Sequence, residues 1–180
     1  MSKSIFQDCF DKDDKLSKKA KSIIKFALLP WVTPEKICPL IRISEKLYHG
    51  HFGFLSQYYH YIIFKKFNCY INPKAKIGRK LFLPHPMGIV IGEGVEIGDS
   101  VSIYQQVTIG QNRGKYPKIG DNVIIYAGAK IVGAIVVGNG AVIGTNAVVI
   151  SSIPDNAIVA GNPAKIIRII NGNNEKKNFY

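Results

Sequence analysis

Residues 91–110 read IGEGVEIGDSVSIYQQVTIG and place an aliphatic residue at every sixth position. The residues in phase are Ile91, Ile97, Ile103 and Ile109. A second apolar residue follows four positions after each of the first three. An amphipathic helix repeats its apolar positions about every three or four residues, and a half-buried strand about every two. A period of six therefore predicts neither of these elements.

The same period continues on both sides of this stretch. Its further members are Ile71, Ile77 and Leu83 upstream, and Ile119, Ile125, Ile131, Val137, Ile143 and Val149 downstream. Such a repeat is typical of a hexapeptide parallel β-helix, in which each hexad forms one side of a triangular coil. The aliphatic residue points inward, and coils stack at about 4.8 Å. Glycine, Asn and Asp are expected at the corners, where φ > 0 is tolerated.

Two breaks in the period mark candidate functional loops. Leu83 and Ile91 are eight residues apart, and the extra residues fall around PHPMG. Ile109 and Ile119 are ten apart, and the extra residues fall in QNRGKYPK. A repeat fold places such insertions on its surface, where binding and catalytic residues collect. His85 lies in the first insertion.

The flanking segments lack the period. KLSKKAKSIIKFALL and LSQYYHYIIFKKF favour helices. These helices either cap the end of the β-helix and cover its edge, or form a basic amphipathic surface that touches a membrane peripherally. The sequence predicts an N-terminal helical region at 1–69, the β-helix at 70–153, and a C-terminal cap and tail at 154–180.

Composition narrows the class of protein. The chain has 180 residues and a net charge of +12, and its hydrophobic content of 47% argues against general disorder. The cysteines are scattered, so they predict neither a disulfide framework nor a metal site. No signal peptide or membrane-spanning run is visible, which predicts a cytoplasmic protein. The positive charge fits a basic surface, an anionic cofactor, an anionic polymer or a membrane, and no nucleic-acid-binding motif appears.

Three stretches together resemble a known family: KIGRKLFLPHPMGIVIGEGVEIGDSVSIYQQVTIG, YPKIGDNVIIYAGAKIVG and GNPAKII. Over about residues 70–168 the chain resembles the hexapeptide acyltransferases, in their serine-acetyltransferase-like branch. The resemblance implies a mainly β fold with a left-handed parallel β-helix. It also implies a homotrimer with active sites between neighbouring β-helices, acetyl-CoA as donor, a hydroxyl acceptor and no metal.

His85 aligns with the catalytic histidine of that family. A hydroxyl attacks a thioester poorly until a base removes its proton, and an imidazole with an ordinary pKa near 6.5 suits that task at neutral pH. We therefore expect His85 to be the general base.

The acceptor site departs from the serine enzymes. Pro84 stands where those enzymes have an aspartate before the histidine. Tyr70 stands where they have a second aspartate, which orients the imidazole. Lys115 and Tyr116 stand where those enzymes have an Arg-His pair. The resemblance places the acceptor against Pro84, Glu93, Lys115 and Tyr116. A neutral sugar needs no paired charges, and a tyrosine ring offers it a stacking face.

The donor site is inferred from the same resemblance. Small and polar residues would let the pantetheine arm of acetyl-CoA lie against the coil, and a lysine would meet a CoA phosphate. These residues are Gly110, Ala127, Gly128, Ala129, Thr145, Asn146 and Lys165.

The sequence thus predicts an acetyl-CoA-dependent O-acetyltransferase that modifies a sugar hydroxyl in capsule or exopolysaccharide biosynthesis. The first alternative is a serine O-acetyltransferase of cysteine biosynthesis, and the second is a non-catalytic scaffold. A zinc carbonic anhydrase on this architecture needs three histidines per metal, whereas His85 is the only histidine of the β-helix.

Overall fold

A computed structural model describes residues 37–170, which form two helices followed by a coil of short parallel strands. Helix α1 spans Ile37–His49 and helix α2 spans Gly53–Phe67. The predicted helix at residues 15–29 and the polar tail after residue 170 lie outside the described residues. No helix within 37–170 is long and apolar enough to cross a membrane.

The strands are short and form three sheets. They are β1 (Tyr70–Ile71), β2 (Lys76–Ile77), β3 (Val90–Ile91), β4 (Glu96–Ile97), β5 (Ser102–Ile103), β6 (Thr108–Gly110), β7 (Lys118–Ile119), β8 (Ile124–Ile125), β9 (Lys130–Val132), β10 (Val136–Val137), β11 (Val142–Ile143), β12 (Val148–Val149), β13 (Ala157–Ala160) and β14 (Lys165–Ile169). Sheet 1 has the order β1-β3-β6-β9-β12, sheet 2 the order β2-β4-β7-β10, and sheet 3 the order β5-β8-β11-β13-β14.

Because the chain visits sheets 1, 2 and 3 in turn, each coil is triangular and has three corners. The 1–2 corner contains residues 92–95 and 111–117, the 2–3 corner residues 98–101, 120–123 and 138–141, and the 3–1 corner residues 84–89, 104–107, 126–129 and 144–147. The predicted fold class, a mainly β hexapeptide β-helix with N-terminal helices, is confirmed.

The residues of the six-residue period form the core. All ten from Ile91 to Val149 are at most 5% exposed. They keep register from coil to coil, as in Ile103 opposite Ile125 and Ile125 opposite Ile143. The second apolar residue of each hexad, such as Val107 or Val123, is fully buried as well. Each buried aliphatic side chain contributes roughly 1.5–3 kcal/mol, so this stack supplies most of the stabilisation.

At the 2–3 corner the glycine that directly follows each strand, such as Gly98, serves close packing rather than φ > 0, which differs from the prediction, whereas Gly140 has a φ of 65° as predicted. A Cβ on Gly98 would lie 2.8 Å from the Gly120 carbonyl carbon of the next coil. The positive φ angles fall two residues later, at Ser100 (58°) and Asn122 (55°). The glycine is therefore required by the spacing between coils.

A ladder of side-chain acceptors runs along the same corner. Asp121 Oδ1 accepts the Asp99 N–H at 2.7 Å, Asn139 Oδ1 accepts the Asp121 N–H at 2.7 Å, and Asp155 Oδ1 accepts the Asn139 N–H at 2.7 Å. At the start of the ladder, Asp99 also pairs with the Arg79 guanidinium at 2.8 Å. These side-chain bonds thus join each coil to the next at the corner, beyond the ends of the short strands.

The helices pack against the first coil. The Arg42 guanidinium donates to the Ile77 carbonyl at 2.6 Å, and His60 Nδ1 lies 3.0 Å from the Ile71 carbonyl oxygen. The two helices are joined by buried serines, since Ser56 Oγ donates to the Ser44 carbonyl at 2.8 Å. This packing fixes the orientation of α2 relative to the β-helix.

At the other end, parallel stacking continues past residue 153, where the sequence predicted the repeat to end. Ile158 pairs with Val142 and Val159 with Ile143, and β14 then returns antiparallel to β13. The difference arises because the period shifts rather than ends: Ile153 follows Val149 by four residues and pairs with Val137, and Val159 then follows by six and takes the next inward position.

Replacing Asp121 with alanine removes one acceptor of the ladder and leaves the Asp99 N–H without it. We expect the free energy of unfolding to fall by about 1 kcal/mol, the usual net contribution of a hydrogen bond. Urea unfolding at one fixed protein concentration measures this. Asp121→Asn is the matched control, because Asn139 makes the same bond with an amide oxygen. Equal losses in both variants would show that the charge, and not the bond, stabilises this corner.

Candidate active site

The 3–1 corner forms a continuous edge along the β-helix. Backbone hydrogen bonds join its successive turns: Gln106 N–H to Met87 O at 2.8 Å, Gly128 N–H to Gln105 O at 2.9 Å, and Asn146 N–H to Ala127 O at 2.9 Å. The turn that contains His85 is therefore stacked on the 104–107 turn, and through it on the two turns that contain most of the predicted donor residues.

His85 is exposed at the first turn of this edge, between half-buried Pro84 and buried Pro86. Its ring centroid lies 6.5 Å from that of Tyr104, and the Tyr104 ring packs at 5.1 Å on Tyr126. Within residues 37–170 the His85 ring makes no hydrogen bond, so one chain leaves both ring nitrogens available to a ligand.

Gln105 is a candidate site residue that sequence reasoning missed. Its Oε1 is buried and has no hydrogen-bond partner in the described part of the chain. Buried polar atoms are nearly always paired, so this oxygen calls for an N–H or O–H donor. The only signal in the sequence is that Gln105 and Gln106 stand where other hexads carry small residues.

Most of the predicted donor residues share the edge with His85. Ala127 and Gly128 are half-buried, and Thr145 and Asn146 are exposed. Ala129 is fully buried and its methyl group belongs to the core, so only its backbone can border a ligand.

The last two predicted donor residues lie elsewhere. Lys165 is exposed at the start of β14, after a further turn at residues 161–164 whose Ala164 N–H donates to the Val148 carbonyl at 2.8 Å. Gly110 ends β6 on sheet 1 and leads into the 111–117 loop, away from the 3–1 corner. Its surroundings are open, since a Cβ there would meet nothing nearer than Thr108 Cγ2 at 4.0 Å.

The predicted acceptor residues Glu93 and Lys115 lie at the 1–2 corner. Glu93 pairs with Lys74 at 3.2 Å, and this hydrogen bond raises the pKa of Lys74 above its usual value. Lys115 is exposed in a tight hairpin, where it exchanges backbone hydrogen bonds with Asn112 at 3.0 and 3.1 Å. The two residues between them have positive φ angles, which is the pattern of a type I′ turn.

Tyr116 anchors this loop. A Cβ on Gly92 would lie 2.9 Å from Tyr116 Cε1, and one on Gly94 would overlap the ring, so the ring rests on this glycine backbone. The half-buried ring also packs against the core. One ring face is therefore occupied by the glycine backbone, which leaves only the other face for a ligand.

The sequence-predicted site is thus divided between two corners of the triangle. Pro84, His85 and most donor residues lie at the 3–1 corner, whereas Glu93, Lys115 and Tyr116 lie at the 1–2 corner. A sheet separates the two sets within one chain. Among residues 37–170 there is no cluster of three or more His, Cys, Asp or Glu side chains that could hold a metal ion.

Comparison with known proteins agrees with this architecture. The family model "Bacterial transferase hexapeptide (six repeats)" matches residues 116–151. A serine acetyltransferase of Staphylococcus aureus (strain Mu50 / ATCC 700699) is 51% identical over 102 residues, which are 54% of this chain and 48% of that protein. The chain thus spans about half the length of this curated relative.

Two solved structures extend the similarity. The serine acetyltransferase from Brucella abortus strain S19 is 30% identical with a TM-score of 0.72, covering 91% of this chain and 80% of that one. A serine acetyltransferase in complex with CoA is 38% identical with a TM-score of 0.71, covering 77% of this chain and 58% of that one. The chain therefore belongs to the hexapeptide-repeat acyltransferases. The members of the family that it matches here are serine acetyltransferases.

These relatives correct the predicted acceptor. The prediction of a sugar hydroxyl in capsule or exopolysaccharide biosynthesis is wrong, because the matched proteins are serine acetyltransferases. It relied on the missing carboxylates at Pro84 and Tyr70 and on the open face of Tyr116. One face of the Tyr116 ring packs on glycine backbone, and a missing carboxylate in one chain does not establish a neutral acceptor.

Replacing Tyr116 with alanine removes the anchor of the 111–117 loop. We expect trypsin to cleave after Arg113 and Lys115 several-fold faster, because cleavage follows the population of locally opened states. Mass spectrometry of timed digests measures the rate. Tyr116→Phe retains the ring and is the control. Digestion of the alanine variant at the unaltered rate would show that the hairpin holds the loop without the ring.

Proposed function

We propose that this protein is a serine O-acetyltransferase that uses acetyl-CoA as donor and His85 as general base. The observation that carries the proposal is the 51% identity to a serine acetyltransferase over a segment of 102 residues. The geometry adds support, because His85 is exposed at the head of an edge whose small residues leave room for a long ligand.

The chemistry follows from the exposed imidazole. His85 takes the proton from the serine hydroxyl as its oxygen forms a bond to the acetyl carbonyl carbon. When the tetrahedral intermediate collapses, the carbon–sulfur bond breaks and the imidazolium returns the proton to the CoA sulfur. The products are O-acetylserine and CoA, and the imidazole is regenerated.

The donor arm is proposed to lie along the 3–1 corner. Ala127 and Gly128 present little side chain, so the pantetheine amides can approach the coil backbone. Lys165, in the segment that follows this edge, is suited to a CoA phosphate because its accessible ammonium group can donate charge-assisted hydrogen bonds to phosphate oxygens.

Serine, as the acetyl acceptor, carries a carboxylate that needs a cation and an ammonium group that needs a hydrogen-bond acceptor. Either charge is costly to desolvate if it is left unpaired. Lys115 supplies the cation. Glu93 and the unpaired Gln105 Oε1 are candidates for the ammonium. These groups replace the aspartates that are absent at Pro84 and Tyr70.

Because Lys115 and Glu93 lie on a different corner from His85, one chain does not assemble this site. We therefore propose a homotrimer in which the 3–1 corner of one copy faces the 1–2 corner of the next. Closed cyclic symmetry repeats that contact at every interface, so a trimer has three equivalent sites.

The first test is CoA release by the full chain from acetyl-CoA with and without L-serine. We expect release to require L-serine, and His85→Ala to lower kcat/KM by roughly 10²–10⁴-fold, the loss typical for a general base. His49→Ala is the control, because that histidine ends α1 and is exposed. Absence of serine-dependent release by the unaltered chain overturns the proposal and favours the non-catalytic scaffold.

A second test concerns the shared site. His85→Ala and Lys115→Glu chains are each expected to be nearly inactive, yet co-expression should restore activity. If equal amounts of the two variant chains assemble at random, each site draws an intact 3–1 corner with a chance of one half and an intact 1–2 corner with a chance of one half. Roughly a quarter of the sites then have both corners intact, given cyclic symmetry. Differently tagged copies allow mixed trimers to be isolated and assayed. Mixed trimers without recovered activity would place both residues in one chain's site and contradict the arrangement.

A further inference from the structure

Helix α2 turns a row of aromatic side chains outward. We name as the aromatic face the residues Phe54, Tyr58, Tyr61 and Phe64, which are 89%, 44%, 55% and 46% exposed. Phe54 is the most exposed large hydrophobic residue of the described chain. Contiguous exposed apolar surface of this kind marks an interaction site rather than ordinary surface.

The helix geometry separates this face from the core. Phe54, Tyr58 and Tyr61 are spaced by four and three residues, so they lie in one stripe along the helix. The opposite side buries Tyr59 and Ile63 against α1 and the first coil. Much of the aromatic face is therefore left exposed by the fold of the described chain, and the packing behind the helix holds it outward.

The charged side chains of α2 itself are both positive, Lys65 and Lys66. From Lys46 to Gly92 the sequence contains no Asp or Glu. On the helices and their ends this leaves the exposed Lys46, Lys65 and Lys66. Lys65 Nζ lies 5.7 Å from the Tyr61 ring centroid, so charge and aromatic surface adjoin.

We propose that the aromatic face of α2 is a docking site for an anionic lipid bilayer. Phenylalanine and tyrosine rings favour the boundary between acyl chains and headgroups, where the ring is buried and the tyrosine hydroxyl stays in water. Lysines beside them pair with headgroup phosphates. The helix lies on the surface in this arrangement, and the β-helix remains in water.

A second copy fits this face less well. A two-fold contact would place the face and the lysines beside it against an identical, equally positive surface. Like charges opposed across an apolar contact are unfavourable, whereas an anionic surface neutralises them. The proposal is independent of the identity of the acetyl acceptor.

The test is co-sedimentation of the full chain with vesicles of phosphatidylcholine alone and with vesicles that also contain phosphatidylglycerol. We expect binding to the anionic vesicles only. Phe54→Ser combined with Tyr61→Ser should abolish it. Phe54→Leu combined with Tyr61→Phe keeps the surface apolar and should preserve it.

The lysines are tested separately. Lys65→Gln should weaken binding to anionic vesicles roughly fivefold, the factor for about 1 kcal/mol per lysine near such a surface. Lys80→Gln is the matched control, since Lys80 is exposed at the 2–3 corner. The proposal is overturned if the full chain binds both kinds of vesicle equally, or if the Phe54→Ser, Tyr61→Ser variant binds anionic vesicles as the unaltered chain does. It is also overturned if that variant changes in oligomeric mass while the unaltered chain binds no vesicles.

Discussion

The whole structure depends on the stacking of one inward aliphatic side chain per hexad on its equivalent in the next coil. Strands of two or three residues are too short to be stable alone. They persist because pairs such as Ile97 and Ile119 superimpose coil after coil and close a continuous core. A shift of one residue would turn a hydrophobic set outward, so the register is strongly fixed.

This constraint decides where irregular residues can go. Extra residues cannot enter the stack, so they leave it at a corner and return in phase. The turn around His85 and the loop anchored by Tyr116 are the two places where this occurs within the repeats. Residues in these two insertions can therefore differ without changing the stacking of the coils.

The same constraint governs the use of charge. The acidic residues of the described chain are engaged in holding the fold, in the ladder of the 2–3 corner or in ion pairs. Glu96, for example, accepts hydrogen bonds from Lys118 and Lys76, which hold its pKa below the usual value. Few carboxylates remain for the site, and the surface around the helices is left basic.

The sequence by itself determined the fold, because a six-residue period has one physical solution in which all its aliphatic residues are buried. It also pointed to His85, since that residue interrupts the period within a recognisable motif. It failed for Gln105, because an unpaired buried oxygen is a property of packing and leaves no pattern in the sequence. The role of Tyr116 was likewise decided by a glycine surface that only the coil creates.

Tertiary structure also decided which predicted residues share an edge. His85 and Ala127 are far apart in sequence yet lie on the same corner, whereas His85 and Glu93 are close in sequence and lie on different corners. The physical reason is that the chain passes along all three sheets before it returns to the same corner, one coil further on. Sequence distance therefore says little about proximity until the path of each coil is known.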